Sequence, residues 1–246
     1  MSGPVLILGA TSSIARAAAS VFAAEGYPLY LAGRYMEELS RLASDMEIRH
    51  NIAVKFGFFD AEDYESHDKF LRDVIRQIGE LEGVIVAFGY LGDQSAAIRD
   101  FKEGEAIIRR NFTGACSILS HCANYLESRR KGFIIGISSV AGDRGRQSNY
   151  FYGAAKGGMN LYLQGLRNRL FPSGVRVITI KPGFVDTAMT FGMPGLFLVA
   201  SPLYVGERIA WSLRKSKDIV YVPWFWRYIM WIIRMVPEPV FKRMKL

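Results

Sequence analysis

Short apolar runs alternating with amphipathic, helix-length segments predict an α/β fold: a single Rossmann-like domain on a doubly wound parallel sheet of about seven strands, with helices on both faces. Three observations carry this. Seven runs have strand length and apolar, β-branched character: VLILG (5–9), PLYLAG (28–33), VKFGFFD (54–60), GVIVAFG (83–89), GFIIGISS (132–139), VRVITIKP (175–182) and DIVYVP (218–223). Their apolar residues are continuous rather than alternating, as in strands covered on both faces. The intervening stretches, such as FLRDVIRQI (70–78), space apolar residues by three and four, the period of a helix face. No repeat, low-complexity tract or linker interrupts the pattern, so residues 1–246 read as one domain.

Composition narrows the function. A chain of 246 residues, half of them hydrophobic, buries a sizeable core without covalent staples. Cys116 and Cys122 are too few for a disulfide framework and read as core thiols of a reducing compartment. His50, His67 and His121 lack metal-ligand spacing, so no metal site is expected. The opening MSGPVLILGA has neither the basic region nor the long apolar core of a signal peptide, which points to the cytoplasm. A net charge of +8 suits anionic partners. Much of it gathers at the end, where Arg227, Arg234, Lys242, Arg243 and Lys245 face only Glu238. No basic recognition pattern accompanies it, and a nucleic-acid partner is not expected.

Taken in order, the first strand runs into LGATSSIA. Gly9 allows a tight turn, while Thr11, Ser12 and Ser13 offer hydroxyls and N–H groups at a helix start; Ala15 lets that helix approach the sheet. Such a turn aims donors and the positive helix end at a phosphate. The second strand ends LAGRY. An acidic residue here would bind the ribose hydroxyls of NAD, whereas Arg34 pairs with a 2′-phosphate, so NADP(H) is favoured.

The segment SSVAGDRGRQSNYFYGAAK carries the chemistry. Tyr152 and Lys156 are four apart and share one helix face, and none of the other eleven tyrosines has a lysine at that spacing. A free phenol titrates near pH ~10, and a neighbouring ammonium and a cationic nicotinamide would lower that value. Ser139 ends the preceding strand.

With these motifs in order, the chain resembles the short-chain dehydrogenase/reductase family over nearly its whole length. The serine thirteen residues before the tyrosine is matched by Ser139 and Tyr152, the family asparagine by Asn111 of RRNFTG, and the Pro-Gly turn with its threonine by Pro182, Gly183 and Thr187 of KPGFVDT. The resemblance implies that Tyr152 protonates a carbonyl oxygen as hydride arrives and that Lys156 holds the nicotinamide ribose. It further implies that Ser139 binds the substrate oxygen, Asn111 supports a water relay and Thr187 reaches the carboxamide. Asp60 is the implied adenine contact; Ile14, Ala87, Gly89 and Val185 complete the implied cofactor set, and a homodimer or homotetramer built on the Tyr152 helix is the implied assembly. Two departures stand out: Ser13 and Ala15 replace two glycines of the phosphate turn, and VAFG replaces the asparagine-rich motif after the fourth strand.

Two apolar stretches bear on substrate. AMTFGMPGLFLVASP (188–202) falls where the family places a substrate lid, and Met189, Phe191, Met193, Leu196, Phe197 and Leu198 are expected to line something oily. The tail PWFWRYIMWIIRMV (223–236) holds three of four tryptophans and is too short and charged to span a membrane. On a helix, Arg227, Trp231 and Arg234 form one stripe opposite Phe225, Ile229, Ile232 and Val236. Three readings stay open for it: a buried or subunit contact, a peripheral membrane contact by residues 223–246, or a wall for a lipid-like substrate. VAFGYLGD and the C-terminus are similar to those of decaprenylphosphoryl-2-keto-pentose reductases, which implies reduction of a polyprenyl-phosphate-linked keto sugar. Reduction of another hydrophobic ketone, of steroid or acyl-chain type, is the alternative; a non-catalytic dinucleotide-sensing module and a membrane-associated scaffold are the non-enzymatic ones.

Overall fold

The computed structural model describes residues 3–192 and 197–244; Met193 and Leu196 of the expected lid, and Lys245 of the basic end, lie outside the described residues. The strands are β1 (Val5–Leu8), β2 (Leu29–Gly33), β3 (Val54–Phe58), β4 (Gly83–Val86), β5 (Phe133–Ile137), β6 (Arg176–Pro182) and β7 (Ile219–Val222). They form one parallel sheet in the order β3-β2-β1-β4-β5-β6-β7. The helices are α1 (Ser13–Ala24), α2 (Met36–His50), α3 (His67–Ile78), α4 (Gln94–Arg99), α5 (Phe101–Ile108), α6 (Gly114–Arg129), α7 (Tyr150–Leu170), α8 (Pro202–Arg214), α9 (Trp226–Met235) and α10 (Glu238–Phe241).

Each expected strand is present; β2 and β6 keep their expected C-terminal ends, and the other five stop one to three residues earlier. Apart from Pro223, the residues beyond those five ends line the crevice. Alternation within each strand divides the core in two. Val5, Ile7, Ile85, Ile135 and Ile178 pack on the layer containing α1, α2 and α8. Leu6, Leu8, Val84, Ile134 and Val177 pack on the layer containing α3, α6 and α7. Removing each such side chain from water stabilises the fold by about 1.5–3 kcal/mol. The edge strand β3 departs from the continuous pattern: Lys55 and Phe58 are exposed, because only one neighbour covers it.

Chain order reverses between β1 and β4, opening the crevice at the strands' C-terminal ends where this architecture binds ligands. The tail packs beside that crevice. Trp226 and Met230 are buried against Val140, with Phe184, Tyr221, Ile229 and Ile233 around them. Helix α9 ends on Arg144, whose guanidinium donates to the carbonyls of Ile233 (2.6 Å), Arg234 (3.2 Å) and Val236 (2.6 Å) and to Glu238 (3.0 Å), and lies 3.7 Å from the Phe241 ring. A cation thus satisfies carbonyls that a helix C-terminus leaves open. Beneath it, Asp143 accepts from Lys181 Nζ (2.6 Å) and from the Tyr221 hydroxyl (2.7 Å), joining β6 and β7 to the same turn.

The two faces expected for the tail helix need correction. Ile232 lies on the exposed side with Trp231, not opposite it, while Trp226 and Met230 form the buried edge. Trp224, Tyr228 and Met235 are exposed as well. The hundred-degree step per residue places 226, 230 and 233 together, and docking on Val140 selects that edge. Among the described residues no helix is long and apolar enough to cross a membrane.

Candidate active site

The crevice has two ends. At the first, Gly9 adopts a positive φ of 78°, and a Cβ there would lie 2.6 Å from the Phe88 backbone nitrogen, so the turn requires glycine. Ser12 caps α1: its hydroxyl accepts from Ala15 N (3.3 Å) and donates to Ala87 O (3.2 Å), fixing the turn to the strand beside it. Arg16, which the motif reading passed over, donates to Thr11 O (2.9 Å) and pairs with Glu38 (2.8 Å), bracing the turn from outside. Gly9, Thr11, Ser12, Arg34, Asp60 and Gly89 line one cavity here. Arg34 is exposed, makes no ion pair among the described residues, and its guanidinium lies 5.8 Å from the Tyr35 ring centre. Asp60 is half-buried, its carboxylate accepting from Glu62 N (2.9 Å) while its carbonyl meets His67 Nε2 (2.9 Å). Buried His67 also meets the Ser117 hydroxyl (2.8 Å), and burial lowers its pKa.

At the second end Ser139, Tyr152 and Lys156 converge on a cleft also lined by Ser13, Ile14, Ala87, Pro182, Gly183, Val185 and Thr187. The sheet delivers Ser139 after β5, and α7 carries Tyr152 and Lys156 on the face it presents to β5. Lys156 is 4% exposed; its ammonium donates to Ile137 O (3.1 Å) and lies 5.7 Å from the Tyr152 ring centre. Ser138, unremarked in the motif, is buried and donates from its hydroxyl to Lys156 O (3.1 Å), pinning the helix to the strand. A Cβ on Gly142 would come within 2.6 Å of the Gly157 backbone nitrogen, so only glycine lets the turn after β5 approach α7 this closely.

Burial sets the titration of the pair. It pushes the Tyr152 phenol up to about 12, with the Ser139 hydroxyl working in the opposite direction, and it lowers Lys156 to about 8. Burial alone thus acts on the phenol in the opposite direction to the lowering expected from an ammonium and a cationic nicotinamide together. Removal from water is the larger cause, ahead of the Ser139 hydrogen bond.

Asn111 is 2% exposed and sits in a π-helical turn (Arg109–Thr113) between α5 and α6. Its amide donates to Ile107 O (2.8 Å) and Tyr90 O (2.5 Å), and its carbonyl accepts from Tyr90 N (3.1 Å). Three of the four hydrogen-bonding positions of this amide thus fix the loop after β4, leaving one Oδ1 lone pair unused. A Cβ on Gly89 would lie 2.9 Å from Asn111 Oδ1 and 3.5 Å from Lys156 Nζ, so that glycine marks where the loop, Asn111 and Lys156 meet.

The far wall is apolar. Trp226 lies so close to Gly183 that a Cβ there would fall 1.9 Å from the indole nitrogen. Met189 lines the cleft, and Phe197 packs on Phe184 and Trp226 with ring centres 5.7 Å apart in each pair. The lid expectation needs correction at Phe191 and Leu198: both are exposed, Phe191 by 89%, and neither lines the cleft. Thr187 is held through Thr190, whose hydroxyl accepts from Thr187 N (3.2 Å) and donates to Val185 O (2.5 Å). Sequence reasoning also missed Arg146, Asn149 and Trp226 as cleft residues. Arg146 and Asn149 stand inside the motif, but spacing alone does not reveal which way a loop side chain turns.

The model of the short chain dehydrogenase family matches residues 4–193. The chain belongs to that family of oxidoreductases. It is 34% identical to an uncharacterized oxidoreductase of Mycobacterium tuberculosis (strain ATCC 25618 / H37Rv) over 243 residues, covering 99% of this chain and 97% of the relative. It is 32% identical to a serine 3-dehydrogenase of Agrobacterium fabrum over 197 residues, 79% of this chain and 77% of that one. Its fold matches a short-chain dehydrogenase from Sphingobium yanoikuyae, solved in complex with NADPH, with a TM-score of 0.82 at 23% identity, covering 90% of this chain and 88% of the other.

The buried ammonium has a consequence for stability. Lys156 is lowered from 10.5 to about 8, so between these values the unfolded chain binds more protons and stability rises with pH. The penalty is full below about pH 8 and absent above about pH 10.5; at ~1.4 kcal/mol per unit it is on the order of 3 kcal/mol. Lys156→Met removes it and leaves Ile137 O without its donor, a loss of about 1 kcal/mol. The variant should melt above wild type at pH 7, with the gap closing toward pH 10.5 in thermal scans; a gap independent of pH would contradict the assigned penalty.

Proposed function

We propose that the chain is an NADPH-dependent carbonyl reductase with Tyr152 as proton donor. The observation that carries this reading is the convergence of Ser139, Tyr152 and a buried Lys156 on one cleft whose other end is a glycine-floored, serine-capped helix start. The residues suit a nicotinamide dinucleotide: the tight turn at Gly9 and the α1 N-terminus suit its phosphates, and exposed Arg34 suits a 2′-phosphate. Ser13, Ile14, Ala87, Gly89, Asp60, Pro182, Gly183, Val185 and Thr187 would hold the rest. NADPH in a structural neighbour supports the same choice.

When bound, the cofactor supplies a hydride. Tyr152, held protonated by burial, hands its proton to the carbonyl oxygen, and Ser139 Oγ orients that oxygen. Lys156 keeps positive charge beside the phenol as negative charge develops there. Asn111 positions the Tyr90 loop against both.

The substrate reading is a hydrophobic ketone, in its finest form the 2-keto group of a polyprenyl-phosphate-linked pentose. Met189, Trp226, Phe184 and Leu91 support an apolar substrate wall, and resemblance at the tail supports the lipid. Steroid or acyl-chain ketones fit the same wall. Wild type should oxidise NADPH faster than NADH with a polyprenyl-phosphoryl 2-keto-pentose or a long-chain ketone, and Arg34→Asp should weaken NADPH at least about tenfold more than NADH. NADPH binding without oxidation across that panel would instead favour a dinucleotide-sensing module.

A specific observation favours peripheral membrane contact by the tail: Trp224, Tyr228, Trp231, Ile232 and Met235 are exposed beside the cations Arg227 and Arg234. Aromatic residues and arginines of this kind settle at headgroup depth. Replacing both Trp231 and Ile232 by serine should reduce co-sedimentation with phosphatidylglycerol vesicles several-fold. Unchanged sedimentation would leave the tail a protein contact.

A further inference from the structure

The turn between β5 and α7 carries two arginines with opposite fates. Arg144 is saturated, as described, by three carbonyls, Glu238 and the Phe241 ring. The Arg146 carbonyl accepts from Asn149 N (3.2 Å), but its side chain makes no hydrogen bond or ion pair among the described residues; its Nε is buried without a partner, and the side chain lines the cleft that holds Ser139 and Tyr152. No Asp or Glu lines that cleft among the described residues, and the carboxylates tied to the same turn are engaged elsewhere: Asp143 with Lys181 and Tyr221, Glu238 with Arg144. Burial opposes its charge, which lowers its pKa, yet a guanidinium cannot shed its proton near neutrality.

Its surroundings add no compensating charge. Asn149, which also lines the cleft, leaves its Oδ1 buried and unpartnered. It makes no side-chain cap on α7, whose first turn contains no acidic residue and so adds the positive end of a 21-residue helix. A desolvated cation with an unused donor is unstable unless something completes it. The Trp226 indole N–H, a second unpartnered donor, lines the same cleft.

We infer that Arg146 is a specificity-determining residue that binds an anionic group of the substrate, a carboxylate or a phosphate ester, at the mouth of the reductase cleft. Asn149 Oδ1 accepts from a hydroxyl beside that anion. The inference rests on the proposed reductase reading for the identity of the cleft, and it adds a polar, charged head to the apolar body proposed there. A bidentate guanidinium suits both anions equally, so the geometry names their shared chemistry.

The test is binding to the NADPH complex, followed by tryptophan fluorescence, with dodecyl phosphate, dodecanoate, dodecanol and phenyl phosphate as probes. Wild type, Arg146→Gln and Arg146→Lys are compared, with NADPH affinity as the control for folding. Wild type should bind dodecyl phosphate or dodecanoate at least about tenfold more tightly than dodecanol. Arg146→Gln should abolish that preference, and Arg146→Lys should retain part of it, with NADPH binding unchanged in both. The better of the two anions identifies the source. Phenyl phosphate bound through Arg146 with no gain from the dodecyl chain would support the anion site and defeat the apolar-substrate reading. Equal binding of anions and dodecanol, no anion binding at all, or a preference that survives Arg146→Gln would overturn the inference.

Discussion

The site depends on an ammonium held almost fully buried at the wall of the cleft. Lys156 retains one hydrogen bond, to Ile137 O, and everything around it is arranged to keep it there. Ser138 ties its backbone to the strand, Gly142 lets the turn approach α7, and Gly89 leaves room for Asn111 and the ammonium together. The parallel sheet makes this possible. With chain order reversing at β1 and β4, the phosphate turn and the ends of β5 and β6 open into one crevice. The cation is costly in the free chain, and a stability penalty localised at the reacting centre is what a poised site entails.

The same turn that supplies Ser139 also organises the tail. Asp143 and Arg144 fasten β6, β7, α9 and α10, so the aromatic C-terminus is an integral wall of the cleft rather than an appendage. Trp226 shows the linkage most plainly: its indole rests on Gly183, within the turn that follows β6. One edge of α9 therefore shapes the cleft while the opposite edge stays exposed. A contact made by the exposed edge, whether with lipid or with protein, is one short helix away from the substrate wall.

Much of this was legible in the chain. Continuous apolar strands gave the covered parallel sheet, and Gly9, Ser139, Tyr152 and Lys156 stand together because their order and spacing encode the crevice. What was not legible depended on orientation. Arg144 and Arg146 are two residues apart in one loop, and no periodicity tells which meets α9 and which meets the cleft. Ile232 was assigned to the wrong edge because the tail's apolar residues surround the helix, so docking on Val140 had to choose the buried face. Burial of the Tyr152 phenol is hidden in the sequence for a related reason. Spacing places Lys156 beside Tyr152 but does not reveal the depth of burial that raises the phenol.

The most direct measurement is single-turnover deuterium transfer from NADPH labelled at C4, using the ketone that turns over fastest, in wild type and Tyr152→Phe. Wild type should deliver one deuterium to the carbinol carbon. The phenylalanine variant should bind NADPH with unchanged affinity and transfer label at least about a hundredfold more slowly. Transfer by Tyr152→Phe at the wild-type rate would contradict the assignment of Tyr152 as the proton donor and, with it, the proposed chemistry of the cleft.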